Sequence, residues 1–205
     1  MYTVVNQNID RILDHIDEKL DIRTYLFLLN RVRKTDVTRD LNFQKEYCRY
    51  WRLHGAGLDK EFLSVYFELM EKTKDTVNPD IAEITRKLYE IPTNIKGKKT
   101  LQFSFSSKLL HSLDPHKPIY DKMVAGFYNF PVPSHAKSYE ARLQSFLSFY
   151  NSLFEEYMNV LNKGLILQAI EGFKRRFSIP ATYTDEKIID TLIWRSMDLR
   201  SKGII

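Results

Sequence analysis

Apolar residues recur three and four positions apart along nearly the whole chain, the spacing of helices that bury one face. Ile9, Ile12, Leu13, Ile16 and Leu20 form the first such stripe. A second helix is expected over 24–32, apolar at Tyr25, Leu26, Leu28 and Leu29. After a polar break at 34–40, Phe43, Tyr47, Tyr50 and Trp51 make a third stripe, with a glycine stop at His54-Gly55-Ala56-Gly57. A helix over 58–72 turns Phe62, Val65, Tyr66 and Leu69 inward. Asn78-Pro79-Asp80 opens the next, with Asn78 as N-cap and Pro79 in the first turn, and Pro92 closes it. The C-terminal part reads as three helices over 139–161, 165–177 and 185–199. Nothing alternates with period two for long enough to require a sheet. The expected fold is all-α.

Between these parts lies 91–127, which predicts a helix end, a short turn at 93–97 and a helix over 98–113. Asp114-Pro115 stops that helix. Pro118-Ile119-Tyr120 is extended, and Asp121 stands where the N-cap of a further helix belongs. Two helices joined by about five residues containing Gly97 read as a helix-hairpin-helix, whose turn can hold a phosphate on its backbone N–H groups. The chain is expected to form one domain over 1–205, with helical subdomains 1–78 and 135–205 flanking a core of 79–134.

Composition changes this picture little, and charge changes it more. With 205 residues, 43% hydrophobic and 28% charged, the chain has the make-up of an ordinary globular protein. No apolar run is long enough for a membrane span, and residues 1–20 lack the order of a signal peptide, so an intracellular protein is expected, in the cytoplasm, nucleoid or nucleus. The single cysteine, Cys48, leaves no intramolecular disulfide and no Cys-based metal or iron–sulfur site. No cofactor and no metal are expected. The formal net charge is +5. From 92 to 122 there are six lysines against two aspartates, the asymmetry of a phosphate-facing surface.

The lysines suggest a chemistry. Breaking the bond between a base and its sugar is assisted by an amine that attacks the sugar carbon, provided it is unprotonated. Lys99, placed at a helix start beside Lys96 and Lys98, would have that proton weakened by like charge, by the helix end and by partial burial. A carboxylate is needed to support the cationic sugar or handle the amine's proton, and Asp121, held ionised by the helix it opens, can supply it. A helix from Lys99 to Leu113 advances about 21 Å. The eight steps to Asp121 return about 26 Å, so chain length permits the pair to meet.

Gly97-Lys98-Lys99-Thr100 followed by Pro118-Ile119-Tyr120-Asp121 resembles the helix-hairpin-helix DNA glycosylase superfamily. The Lys-Thr-Leu-Gln-Phe run looks most like its archaeal 8-oxoguanine glycosylase branch. The resemblance covers about 90–124. It implies two helical subdomains around the hairpin with the active site in the cleft between them, and base excision by flipping with strand cleavage by β-elimination. Lys99 would be the nucleophile, Asp121 the catalytic aspartate, and Phe103 a stacking wall of the base pocket, with Tyr120 and His111 beside it. Lys96, Gly97 and Lys98 would hold the DNA backbone of a double-stranded substrate bound by a monomer. The hairpin here lacks the usual Gly-x-Gly. A second alignment, on Ser106-Ser107-Lys108-Leu109-Leu110-His111, makes Lys108 the functional lysine. Nine positions apart on one helix, the two lysines face opposite sides.

Plainer readings stand beside these. Lys99 suits a solvated helix start, Asp121 a simple cap, Lys108 a half-buried ion pair, and His111 and His116 the surface. Trp51, Trp194 and the ring stripe Phe146, Phe149, Tyr150, Phe154 and Tyr157 suit a core. Lys174-Arg175-Arg176 suits a solvated face. A helical domain that binds DNA or protein without chemistry, in defence or regulation, is the rival function. An RNA-binding domain is a third, resting on charge alone.

Overall fold

The computed structural model describes residues 1–53, 57–93, 97 and 99–205. They contain eleven α-helices and no strand, so the protein is all-α. By its contacts the chain divides into two compact units. One is continuous, 19–114; the other joins 1–18 to 115–205. These bounds fall elsewhere than 78 and 135, and the central stretch is shared between the units.

The continuous unit begins in a π-helical turn, Glu18–Arg23, then carries α3 (Thr24–Val32), α4 (Leu41–Tyr50), α5 (Lys60–Thr73), α6 (Ile81–Glu90) and α7 (Phe103–Leu113). Aspartates start three of them. Asp40, Asp59 and Asp80 each accept a backbone N–H of the first turn, from Phe43 (3.0 Å), Phe62 (2.9 Å) and Ala82 (2.8 Å). At the third start the capping residue is Asp80, not Asn78, which lies at φ +50° two residues earlier. The core is rich in rings: Phe43, Tyr47, Phe62, Tyr66 and Phe103 are all buried. Its phenols are served in series, with Tyr47 bonded to Tyr66 (2.9 Å) and Tyr66 donating to the Phe105 carbonyl (3.0 Å), as buried hydroxyls require. Arg33 closes the end of α7 by donating to the Leu113 carbonyl at 2.7 Å.

The discontinuous unit holds α1 (Thr3–Gln7), α2 (Ile9–Asp14), α8 (Lys122–Phe127), α9 (Tyr139–Lys163), α10 (Leu167–Phe177) and α11 (Asp185–Ser201). α11 is its axis, packed on α1, α2, α8, α9 and α10. Gly126 admits α8 closely: a Cβ there would meet Met197 of α11 at 3.4 Å. α9 buries Leu143, Phe146, Tyr150, Leu153, Tyr157 and Val160, a clean three-and-four spacing. It stops at Gly164, left-handed at φ +61°. The expected first stripe is cut short. α2 ends at Asp14, and Leu20, in the π-helical turn, is 43% exposed. Residues 1–7 are drawn in by Tyr2, whose hydroxyl donates to Glu156 (3.0 Å) and bonds Tyr128 (2.8 Å).

Candidate functional site

The helix expected over 98–113 begins five residues later, at Phe103. Lys99 therefore lies before it, in an irregular connector, and is exposed. The connector is drawn together where Thr100 donates to the Thr93 hydroxyl (3.3 Å) and accepts from Gln102 (2.6 Å). Gly97 takes φ +68° with open space around it. The helix end and burial that were to activate Lys99 are both absent. The reason is local: Thr93, Thr100 and Gln102 bond one another side chain to side chain, and the apolar face begins only at Phe103. Lys96 and Lys98 lie outside the described residues, as do three of the four residues of the glycine stop after Trp51. Among the described residues α6 ends at Glu90 and α7 starts at Phe103, so the two helices stand further apart in the chain than the five-residue turn expected.

Lys108 is set differently. It lies midway along α7, half-buried. Its Nζ donates to the Trp51 carbonyl (3.3 Å) and stands 5.2 Å from the Phe105 ring centre and 6.0 Å from that of Trp51. One helical turn on, His111 is 1% exposed, not on the surface. Its Nε2 is 2.9 Å from the Tyr25 hydroxyl, and its ring meets Trp51 edge-on at 6.0 Å. Tyr50 completes the group, 4.6 Å from Trp51 and 5.9 Å from Tyr25 between ring centres. An amine, an imidazole and a phenol thus share one ring-lined place within the continuous unit. In sequence Tyr25 reads as an apolar helix position, and Trp51 suits a core. The three-residue spacing of Lys108 and His111 puts those two on neighbouring helix positions, but no spacing signals Tyr25 or Trp51 beside them.

Asp121 caps α8 as the sequence implies. Its Oδ1 accepts from Met123 N (2.8 Å) and Val124 N (3.0 Å), and its Oδ2 accepts no bond among the described residues. The carboxylate is half-buried. Its neighbour Tyr120 is 7% exposed, wedged among Phe130, Phe146 and Phe149 at ring distances of 5.1–6.1 Å. Burial, then the Asp121 charge, pushes the Tyr120 phenol up to about 12. Phe103, the expected stacking wall, is 1% exposed. Phe103, Tyr120 and His111 are therefore interior side chains of their units. Asp121 belongs to the discontinuous unit, and Lys99 and Lys108 to the continuous one.

Charge divides as sharply as the chain. Residues 19–114 hold eighteen Lys and Arg against thirteen Asp and Glu, and the discontinuous unit thirteen against thirteen. The whole excess of +5 is in the continuous unit. The basic run at the end of α10 is neutralised: Lys174 pairs with Asp185 (2.6 Å), Arg175 with Glu171 (3.7 Å) and Arg176 with Asp14 (3.4 Å). His116 is exposed and meets Glu186 at 3.0 Å. Trp194 is only half-buried, with the Arg195 guanidinium 5.3 Å from its ring centre. A groove of about 510 Å³ runs between α5 and α6 over Leu69, Ile84 and Ile91. It takes in neither Lys99 nor Lys108. Among the described residues no cluster of His, Cys, Asp and Glu could hold a metal, and no helix is long and apolar enough to cross a membrane. The chain matches no protein family, no curated protein and no solved structure.

Proposed function

We propose that the protein excises a modified base from double-stranded DNA, with a lysine amine as nucleophile and Asp121 as the supporting carboxylate. The observation that carries this reading is the state of Asp121. One oxygen is fixed by two N–H groups of α8 and the other is left to act, which is how a charge is positioned in advance for a developing cation. The charge division supports it: the unit that bears both candidate lysines carries all the net positive charge, and phosphate contact needs such a surface. Between the lysines we favour Lys108. Lys99 lacks a helix end and burial, whereas Lys108 stands half-desolvated among rings beside an imidazole-bearing turn.

Borohydride trapping on duplexes with single modified bases tests the proposal. A covalent adduct present in the parent and Lys99→Ala but lost in Lys108→Ala supports it. Loss only in Lys99→Ala returns the nucleophile to the connector. Base release without an adduct makes water the nucleophile, with Asp121 supporting it. No adduct and no release on any duplex sinks the enzyme. A non-catalytic helical domain that binds DNA or protein is the second reading. It is favoured by the interior placement of Phe103, Tyr120 and His111, which fills with protein the places where a base was expected.

A further inference from the structure

The groove between α5 and α6 differs in charge from the unit that holds it. Its walls run from Val65 to Lys72 on α5 and from Glu83 to Glu90 on α6, seven steps each, about 10 Å or two turns of helix. Val65, Leu69, Ile84 and Ile91 supply an apolar floor, at the four- and seven-residue steps that keep side chains on one helix face. The charged lining is four carboxylates, Glu68, Asp80, Glu83 and Glu90, against two amines, Lys72 and Lys87. Glu83 meets Lys87 at 2.6 Å, and Asp80 accepts the Ala82 N–H at 2.8 Å as the cap of α6. Glu68 and Glu90 are exposed. The lining thus has a net charge of −2 in a unit of net charge +5. Val77, 86% exposed, adds apolar surface where α5 connects to α6, between Thr76 and Asn78 of the lining.

We propose that this groove docks a short amphipathic helix of a partner protein, apolar on the face it buries and carrying Lys or Arg along its edges. Helix-in-groove recognition seats apolar anchors one and two turns apart on an apolar floor, and the two-turn walls here match that repeat. The acidic lining then selects the partner. Opposite charge beside the anchors attracts and orients a basic helix, and an acidic one is rejected. The inference concerns a surface apart from Lys99 and Lys108 and does not depend on base excision.

Two other occupants fit less well. A phosphate backbone laid here would meet four carboxylates, so this groove repels DNA although its unit carries the positive charge that DNA needs. A small organic cation is held by polar groups that converge on one point. Here the carboxylates are spread along both walls, Glu68 on α5 and Glu83 and Glu90 on α6. A helix answers charges so arranged, because its polar edges run parallel to its apolar face.

The test displays a random library of helix-favouring peptides to the full chain. Enriched peptides are made with a fluorophore and titrated by anisotropy into the parent, into Glu68→Lys with Glu90→Lys, and into Lys72→Glu. All three positions are exposed, and melting transitions show which variants are folded. Enriched peptides are expected to repeat apolar residues at three- and four-residue steps, with Lys or Arg beside them. Their Kd is expected to rise roughly tenfold in the double variant and to fall in Lys72→Glu, both differences shrinking as salt is raised. If the double variant does not fold, the sign of the Lys72→Glu effect decides alone. Hydrogen exchange should place the peptide's protection within 65–91. No enrichment, a consensus without basic residues, or a Kd unchanged in the folded variants overturns the proposal. Self-association of the chain that the double variant abolishes makes the occupant a second copy, and overturns it too.

Discussion

Lys187 and Asp190 face each other at 2.8 Å inside the discontinuous unit, with side chains 4% and 9% exposed. The pair lies in the first turns of α11, the helix on which the rest of that unit packs. Burying two charges is repaid only while both are present. Lys187→Met alone is expected to cost about 3–5 kcal/mol, since Asp190 is left buried without its cation, while Lys187→Met with Asp190→Leu should recover most of the loss. Urea unfolding of the two single variants and the double checks this. A double variant no more stable than the singles would show that the pair is bound into a wider network.

Removing the carboxylate of Asp121 separates capping from chemistry. Asp121→Ala should lower stability by about 0.5–2 kcal/mol, because two N–H groups of α8 lose their acceptor. Asp121→Asn keeps an acceptor oxygen and should stay within a few tenths of the parent. Thermal melts measure the first effect. Base release measured on the folded Asn variant then reports the charge alone. Full activity in Asp121→Asn would leave the residue a cap and nothing more.

Asp40 should make the protein sensitive to acid. Its carboxylate is held below the ordinary range first by the Arg31 side chain and then by the Phe43 N–H. A depressed folded pKa means that the unfolded chain binds the proton more readily, so stability rises with pH in this window. The contribution is complete above the ordinary aspartate value and is lost as pH falls through the lower folded one. Urea midpoints on descending into that window should drop more steeply for the parent than for Asp40→Asn. Parallel slopes would contradict the assignment.

Cys48 should be inert in the folded protein. It is 2% exposed, and burial pushes its thiol up to about 11. A thiol-directed disulfide reagent at mildly alkaline pH is expected to react slowly with the native chain and rapidly in denaturant, because only the thiolate attacks. Fast native labelling would show that α4 opens locally.

Periodicity made the helices legible, since helix existence depends on a face that repeats. Tyr139, Asp185 and Phe177 bound observed helices where the pattern placed them, and Asp121 caps as its position implied. The start of α7 was not legible. Lysines and a threonine at 98–100 neither forbid nor demand a helix, and the hydroxyl bonds of Thr93 and Thr100 across the connector are seven residues apart, outside any local pattern. The Lys108 surroundings were hidden for a related reason. Trp51 and Tyr25 reach α7 from 57 and 86 residues away in the chain, and no spacing rule connects them. The outward turn of Phe154, 36% exposed on a helix otherwise read as core, depends on what packs beside α9 and not on α9 itself.

The division of the chain sets an order of assembly. Residues 19–114 form a compact unit from contiguous chain, so its contacts are available as soon as that stretch leaves the ribosome. The other unit cannot close then. Asn6 waits for the Leu165 carbonyl, 159 residues on, and Tyr2 for Glu156, 154 residues on. Closing so long a loop is entropically unfavourable, and distant contacts form slowly. An already folded 19–114 shortens that loop, because a compact insert replaces a floppy one. The first eighteen residues are thus a segment held open during synthesis, its apolar side chains Val5, Ile12 and Leu13 exposed to chaperones and proteases until α11 is made.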